Sequence, residues 1–131
     1  MNYYAHTAED EQGNRLPETC GKWQPLARHL RNVADLAKRF AAPLRLGNEA
    51  ELSGLLHDLG KYADRFQARL RNPTIHGINH WAAGASCAAV LKAWAVAFAA
   101  DGHHTGIPAL HDAEAFQLLG GRGLSRYGGT F

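Results

Sequence analysis

The sequence predicts an all-α fold, a helical bundle, from three observations. Alanine and leucine dominate its apolar residues and long runs of Val, Ile and Thr are missing, which favours helix over strand. From Trp23 onward the apolar residues recur at spacings of three and four, the period of a helix face. Pro25 and Pro43 bracket the first periodic stretch, as a first-turn proline and a terminating proline do. At 131 residues and 46% hydrophobic content, the chain is one domain, 1–131, able to close a single core. Its formal charge of +2 and pI near 8.7 are too mild to argue for nucleic acid from charge alone.

Residues 1–21 have no clear periodicity, and Asp10 to Pro17 is polar and turn-rich. The stretch reads as an N-terminal loop, and His6 within it as a surface or loop histidine. Met1 to His6 has neither a basic nor an apolar leader region, so no signal peptide is visible. Cys20 and Cys87 are far apart and lack Cys-x-x-Cys spacing, which fits reduced residues of a cytoplasmic protein.

Trp23 to Ala42 predicts the first helix, with Trp23, Leu26, Leu30, Val33, Ala37 and Phe40 as its apolar stripe. His29 lies on the margin of that stripe. A satisfied core histidine and one aimed at a shared interior site both fit there. Asn48, with Glu51 three residues on, predicts the N-cap of a second helix. Leu52, Leu55, Leu56 and Leu59 are its expected core face. His57 and Asp58 close it, about 100° apart on the helix surface. Buried without partners, this pair would cost several kcal/mol per residue. A cation removes that cost by taking an imidazole nitrogen and a carboxylate oxygen; a hydrogen bond between the two is the plainer alternative. Gly60 relaxes the chain behind them. Tyr62 to Leu70 predicts a short helix with Phe66 and Leu70 inward and Arg65, Arg69 and Arg71 on a solvated face.

Asn72-Pro73 marks a turn, and His76 reads as a loop histidine. His80 opens the next helix with no polar neighbour to satisfy it, which favours a ligand role. Ala82 to Ala100 is nearly free of charge but contains Lys92, Ser86 and Gly84, and its apolar residues are largely alanine. A buried helix pair is expected rather than a membrane span. Gly84, one turn after His80, lets another helix or a metal cluster come close. His103 and His104 follow this run between glycines. They suit a cation approached from two directions and equally a titrating surface turn. Ala113 to Leu119 predicts a last helix and residues 120–131 a flexible glycine-rich tail, so the chain is expected to stop before a bundle of this kind is complete. Eight histidines in 131 residues is the compositional excess of the whole sequence, and histidine is the commonest metal ligand.

Taken in order, His29, His57-Asp58 with Lys61, His80, and His103-His104 resemble the HD superfamily of metal-dependent phosphohydrolases. More narrowly they are similar to the HD nuclease domain of the type I CRISPR-associated helicase-nuclease. Trp23-Gln24-Pro25-Leu26 with His29-Leu30 is similar to that family's opening helix. Gly54-Leu55-Leu56-His57-Asp58-Leu59-Gly60-Lys61-Tyr62, then Phe66-Gln67, resembles its central motif. His80 with Gly84-Ala85 resembles its third, and Gly102-His103-His104-Thr105-Gly106-Ile107-Pro108 its fourth. Tyr4-Ala5-His6-Thr7 is similar to its start. The resemblance spans about residues 3–110.

What the resemblance implies is an HD-domain helical bundle around two divalent cations. The first would take His29, His57 and Asp58; the second would take Asp58 as a bridging ligand with His80, His103 and His104. The family's further aspartate, from a late helix, cannot be placed here: Asp112 lies only eight residues after His104, and the glycine-rich tail has no aspartate. Mixed imidazole and carboxylate ligands suit Mn, Fe, Co, Ni or Zn better than Mg, which stays an option. The implied activity is endo- and exonucleolytic cleavage of single-stranded DNA by a metal-activated water. Asp58 and Lys61 would be catalytic, Lys61 by neutralising a phosphate oxygen; an ordinary surface lysine is its plain alternative. The implied partners are single-stranded DNA, a CRISPR helicase domain or subunit and a guide-RNA surveillance complex, with no membrane. The chain has no Gly-x-x-x-x-Gly-Lys loop and so no helicase motor of its own. Two rivals remain: a phosphohydrolase of nucleotides or cyclic dinucleotides, and an inactive metal-binding remnant.

Overall fold

Five α-helices and one short β-ladder make up residues 2–106, which are the residues the computed structural model of this chain describes. In chain order they are β1 (Tyr4–His6), β2 (Gln24–Pro25), α1 (Leu26–Ala41), α2 (Gly47–Leu56), α3 (Asp64–Arg71), α4 (Ala82–Val90) and α5 (Trp94–Thr105). The all-α expectation holds, with the ladder and an isolated bridge between Glu9 and Arg15 added.

That ladder corrects the reading of 1–21 as loop. β1 and β2 pair antiparallel, with Tyr4 opposite Pro25 and His6 opposite Gln24. Three residues are too few to leave a period-two signature, and the partner strand lies some twenty residues on. Asp10 to Asn14 is an ordered turn: the Asp10 carboxylate accepts the backbone N–H groups of Gln12 and Asn14 at 2.9 and 2.8 Å.

The pairing also delays the first helix. Gln24-Pro25 is extended, so α1 starts at Leu26 rather than Trp23. Trp23 is buried, and its indole N–H donates to the Leu16 carbonyl at 2.9 Å. Leu26, Leu30 and Ala34 form the buried face of α1, whereas Phe40, expected inward, is 80% exposed. The reason is where α2 crosses. A Cβ on Gly54 would lie 2.5 Å from the Ala34 Cα, so the two backbones touch at Ala34 and the end of α1 runs past the contact.

Asn48 is not an N-cap. A 3-10 turn at Ala42–Leu44 ends on Arg45 at φ 60°, and α2 begins at Gly47 with no side-chain cap. Glu51 instead accepts a 2.7 Å bond from Lys38 of α1. Leu56 is buried, Leu52 and Leu59 pack partly against the same core, and Leu55 turns toward solvent. A 3-10 turn at Leu59–Tyr62 then leads into α3, which starts at Asp64. Phe66 and Leu70 point inward as expected, packing with Trp23. Arg65, Arg69 and Arg71 are exposed as expected, and the Arg71 guanidinium donates to both Glu18 carboxylate oxygens at 2.8 and 3.2 Å.

The alanine-rich run forms the expected buried helix pair, α4 and α5, joined through Leu91–Ala93. No helix among the described residues is long and apolar enough to cross a membrane. Leu56, Ala85, Ala88, Ala89, Val96, Ala97 and Ala100 make one core. Small side chains there let backbones approach closely. A Cβ on Gly84 would sit 1.8 Å from the Leu56 carbonyl oxygen. α5 continues to Thr105, so His103 and His104 lie on its last turn rather than after the helix. Asp112, the helix expected at Ala113 to Leu119 and the tail at 120–131 lie outside the described residues.

Gly84→Ala is expected to lower the unfolding free energy by about 3 kcal/mol or more, because the added methyl meets backbone rather than a side chain that can move. Denaturant unfolding checks this; a variant within about 0.5 kcal/mol of the natural chain would contradict the packing described.

Candidate metal centre

Four separate segments bring imidazoles to one carboxylate. α1 carries His29 in its first turn, α2 ends into His57 and Asp58, His80 stands just before α4, and the last turn of α5 presents His103 and His104. Gly60 ties the second segment to the third: its N–H donates to the His80 carbonyl at 3.1 Å, and a Cβ there would lie 2.4 Å from that oxygen. Only glycine permits this approach.

Asp58 is the hub and is 3% exposed. Its Oδ2 lies 3.1 Å from His29 Nε2, 3.1 Å from His57 Nε2 and 2.8 Å from Lys61 Nζ. Its Oδ1 faces the other way, 3.4 Å from His80 Nε2 and 3.6 Å from His103 Nε2, and has no hydrogen bond although buried. The rings also crowd one another. His29 and His57 Nε2 are 3.2 Å apart, and His80 and His104 Nε2 are 2.8 Å apart.

The ring orientations are set from behind. His57 Nδ1 donates to the Gly54 carbonyl at 2.8 Å, and His103 Nδ1 to the Ala100 carbonyl at 2.6 Å. A carbonyl only accepts, so each Nδ1 carries a proton and, in the neutral ring, each Nε2 presents a lone pair toward Asp58. Metal-binding histidines are oriented this way. Two donors about 2.1 Å from one cation, 90–110° apart, are about 3.0–3.4 Å from each other. The spacings of 2.8–3.6 Å bracket that range. The orphaned Oδ1, the converging lone pairs and the donor chemistry fit divalent metal binding.

Protonation follows burial. Burial pushes His80 down to about 4, helped by the charge of Lys61, and lowers His29, His104 and His6 as well. Burial also opposes a charge on His57, but its bonds to Asp58 and the Gly54 carbonyl outweigh that and raise it. Asp58 sits well below the usual carboxylate range: burial works against ionisation, and the hydrogen bonds from His57 and Lys61 overcome it.

The six side chains expected at a shared centre, His29, His57, Asp58, His80, His103 and His104, are all there. Lys61 is no surface lysine: it is 4% exposed, paired with Asp58, and donates to the Ala5 carbonyl at 3.3 Å. His76 is exposed. His6 is a surface residue as read, but it lies on β1 and not in a loop. It is exposed but stands edge-on to His29, ring centroids 5.0 Å apart, with a ligand atom within 4.8 Å of those of His29 and Asp58. No helical period pointed to it, because it lies on β1. Gln67 was also unmarked by periodicity. It is buried, and its amide bridges the Tyr4 backbone N–H and C=O and the Lys61 carbonyl at 2.7–3.0 Å.

Residues 26–128 match the family model described as HD domain. No curated protein matches the chain.

The metal-free chain is expected to be most stable near pH 6.5. His57 is raised, so its contribution is complete below about 6.5 and lost as pH rises through its folded value. His29, His80 and His104 are lowered, His80 to about 4, so below about 6.5 the unfolded chain binds more protons than the folded one and stability falls with pH. Thermal melts in chelator across this range check it; a melting temperature that climbs steadily from pH 6.5 to 4 would show the signs to be wrong.

Proposed function

The chain belongs to the HD domain family, whose domains are generally metal-dependent hydrolases, and from that premise we propose that it cleaves phosphodiester bonds of single-stranded DNA as the nuclease of a type I CRISPR system. The observation that carries the reading is Asp58, whose two oxygens face two separate groups of imidazoles. One carboxylate between two such groups suits two cations sharing a ligand. In this proposal His29, His57 and Asp58 hold the first, and Asp58, His80, His103 and His104 the second. When bound, such a pair lowers the pKa of an attacking water and offsets the charge gathering on a pentavalent phosphate.

The chain's own groups do the rest. His57 and His103, anchored through Nδ1 to carbonyls, hold their Nε2 atoms in place with little reorganisation. Lys61, bonded to Asp58 Oδ2, fixes the carboxylate's orientation and adds a buried positive charge beside it. His6, His103 and His104 are exposed at the rim, so among the described residues the centre opens to solvent, as a polymer substrate requires. The choice of DNA and of a CRISPR helicase and guide-RNA complex as partners rests on the motif likeness at Gly54–Tyr62 and Gly102–Pro108. For the metal, imidazole-rich donors favour Mn, Fe, Co, Ni or Zn over Mg.

Incubating the metal-loaded chain with circular single-stranded DNA tests the reading. Linear and shortened products are expected. Turnover of nucleotides or cyclic dinucleotides, with the circle left intact, would favour a small-molecule phosphohydrolase instead. Loss of cleavage with every cation would leave a metal-binding remnant. Asp58→Ala is expected to abolish cleavage and to lower the cations bound per chain, since one carboxylate serves both positions. His76→Ala should leave metal content unchanged; a cation lost in that variant would reassign a ligand.

A further inference from the structure

The two sides of Asp58 are unequal in donors. On one side stand His80, His103 and His104; on the other only His29 and His57. Among the described residues no second carboxylate joins either group. His6 is the remaining donor beside the poorer side. One of its ring nitrogens lies within 4.8 Å of ligand atoms of both His29 and Asp58, and its ring meets that of His29 edge-on at 76°.

Its placement is not that of a loose loop. The residues before it are held on every side. The Leu26 N–H donates to the Tyr3 carbonyl at 2.9 Å. The Gln67 side chain bonds both backbone groups of Tyr4 at 3.0 and 2.9 Å. Lys61 Nζ donates to the Ala5 carbonyl. Ala5 is buried, so strand alternation turns His6 the other way, toward the open face of the centre.

We propose that His6 is a further ligand of the cation position formed by His29, His57 and Asp58. This rests on the two-cation reading above. It equalises the two sides at four donors each, sharing Asp58. It also makes the first position rich in nitrogen, three imidazoles to one carboxylate, and so selective for Co, Ni or Zn over Mn or Mg.

The test is titration of the full chain with Co(II), followed by visible absorption and elemental analysis, and competition with Mn(II). The natural chain should take up two cations. His6→Phe keeps the ring packing against His29 but has no donor; it should lose one cation or bind it about 10–100-fold more weakly, with its circular dichroism in chelator unchanged. His6→Asp restores a donor; it should hold two cations and shift the preference toward Mn(II). Should His6→Phe not fold, His6→Ala carries the same comparison. Two cations of unaltered affinity in the donorless variant would overturn the assignment alone. A natural chain that binds no Co(II) would overturn both it and the two-cation reading.

Discussion

A buried carboxylate is the constraint to which the rest of this structure answers. Asp58 cannot be taken from water uncompensated, since an isolated buried charge costs many kcal/mol. Lys61 supplies one buried counter-charge at 2.8 Å. That contact satisfies Oδ2, with His29 also in hydrogen-bonding reach of it, but leaves Oδ1 without a bond. A fold that needed only a neutral interior would place an apolar residue here. Retaining the carboxylate, with imidazole nitrogens gathered on both of its sides, is intelligible as a binding centre and costly as mere architecture.

The backbone must come unusually close to make that gathering possible. Three contacts do it: Gly54 against Ala34, Gly60 against the His80 carbonyl, and Gly84 against the Leu56 carbonyl. Each joins two segments that carry members of the centre, or lie next to one. The alanine-rich core of α4 and α5 works to the same end, since small side chains bring α5, with His103 and His104, down onto α2. What stability these helices forgo in large apolar side chains is offset by close packing.

The N-terminal strand is the less obvious part of the device. Gln67 treats the Tyr4 backbone as a neighbouring strand would, with one donor and one acceptor, while also holding the Lys61 carbonyl. Lys61 in turn reaches the Ala5 carbonyl and the Asp58 carboxylate. One buried amide and one buried ammonium therefore couple β1 to the hub.

Read alone, the chain determined the helical class, the inward Phe66 and Leu70, the folding of the alanine-rich run into a helix pair, and the short set of polar residues with no business in an apolar run. Period and composition carry those, because they are local. The crossing point of α1 and α2 was not local: it depends on a glycine meeting an alanine twenty residues away, and it left Phe40 in solvent. Nor was the short ladder, whose two strands carry too few residues for alternation to register. His57 stood out in sequence beside Asp58 amid leucines, whereas His6 looked like any polar residue near a terminus. Only the tertiary structure decided that it faces His29, because its position comes from hydrogen bonds that α3 and the Leu59–Tyr62 turn make to a strand more than fifty residues earlier.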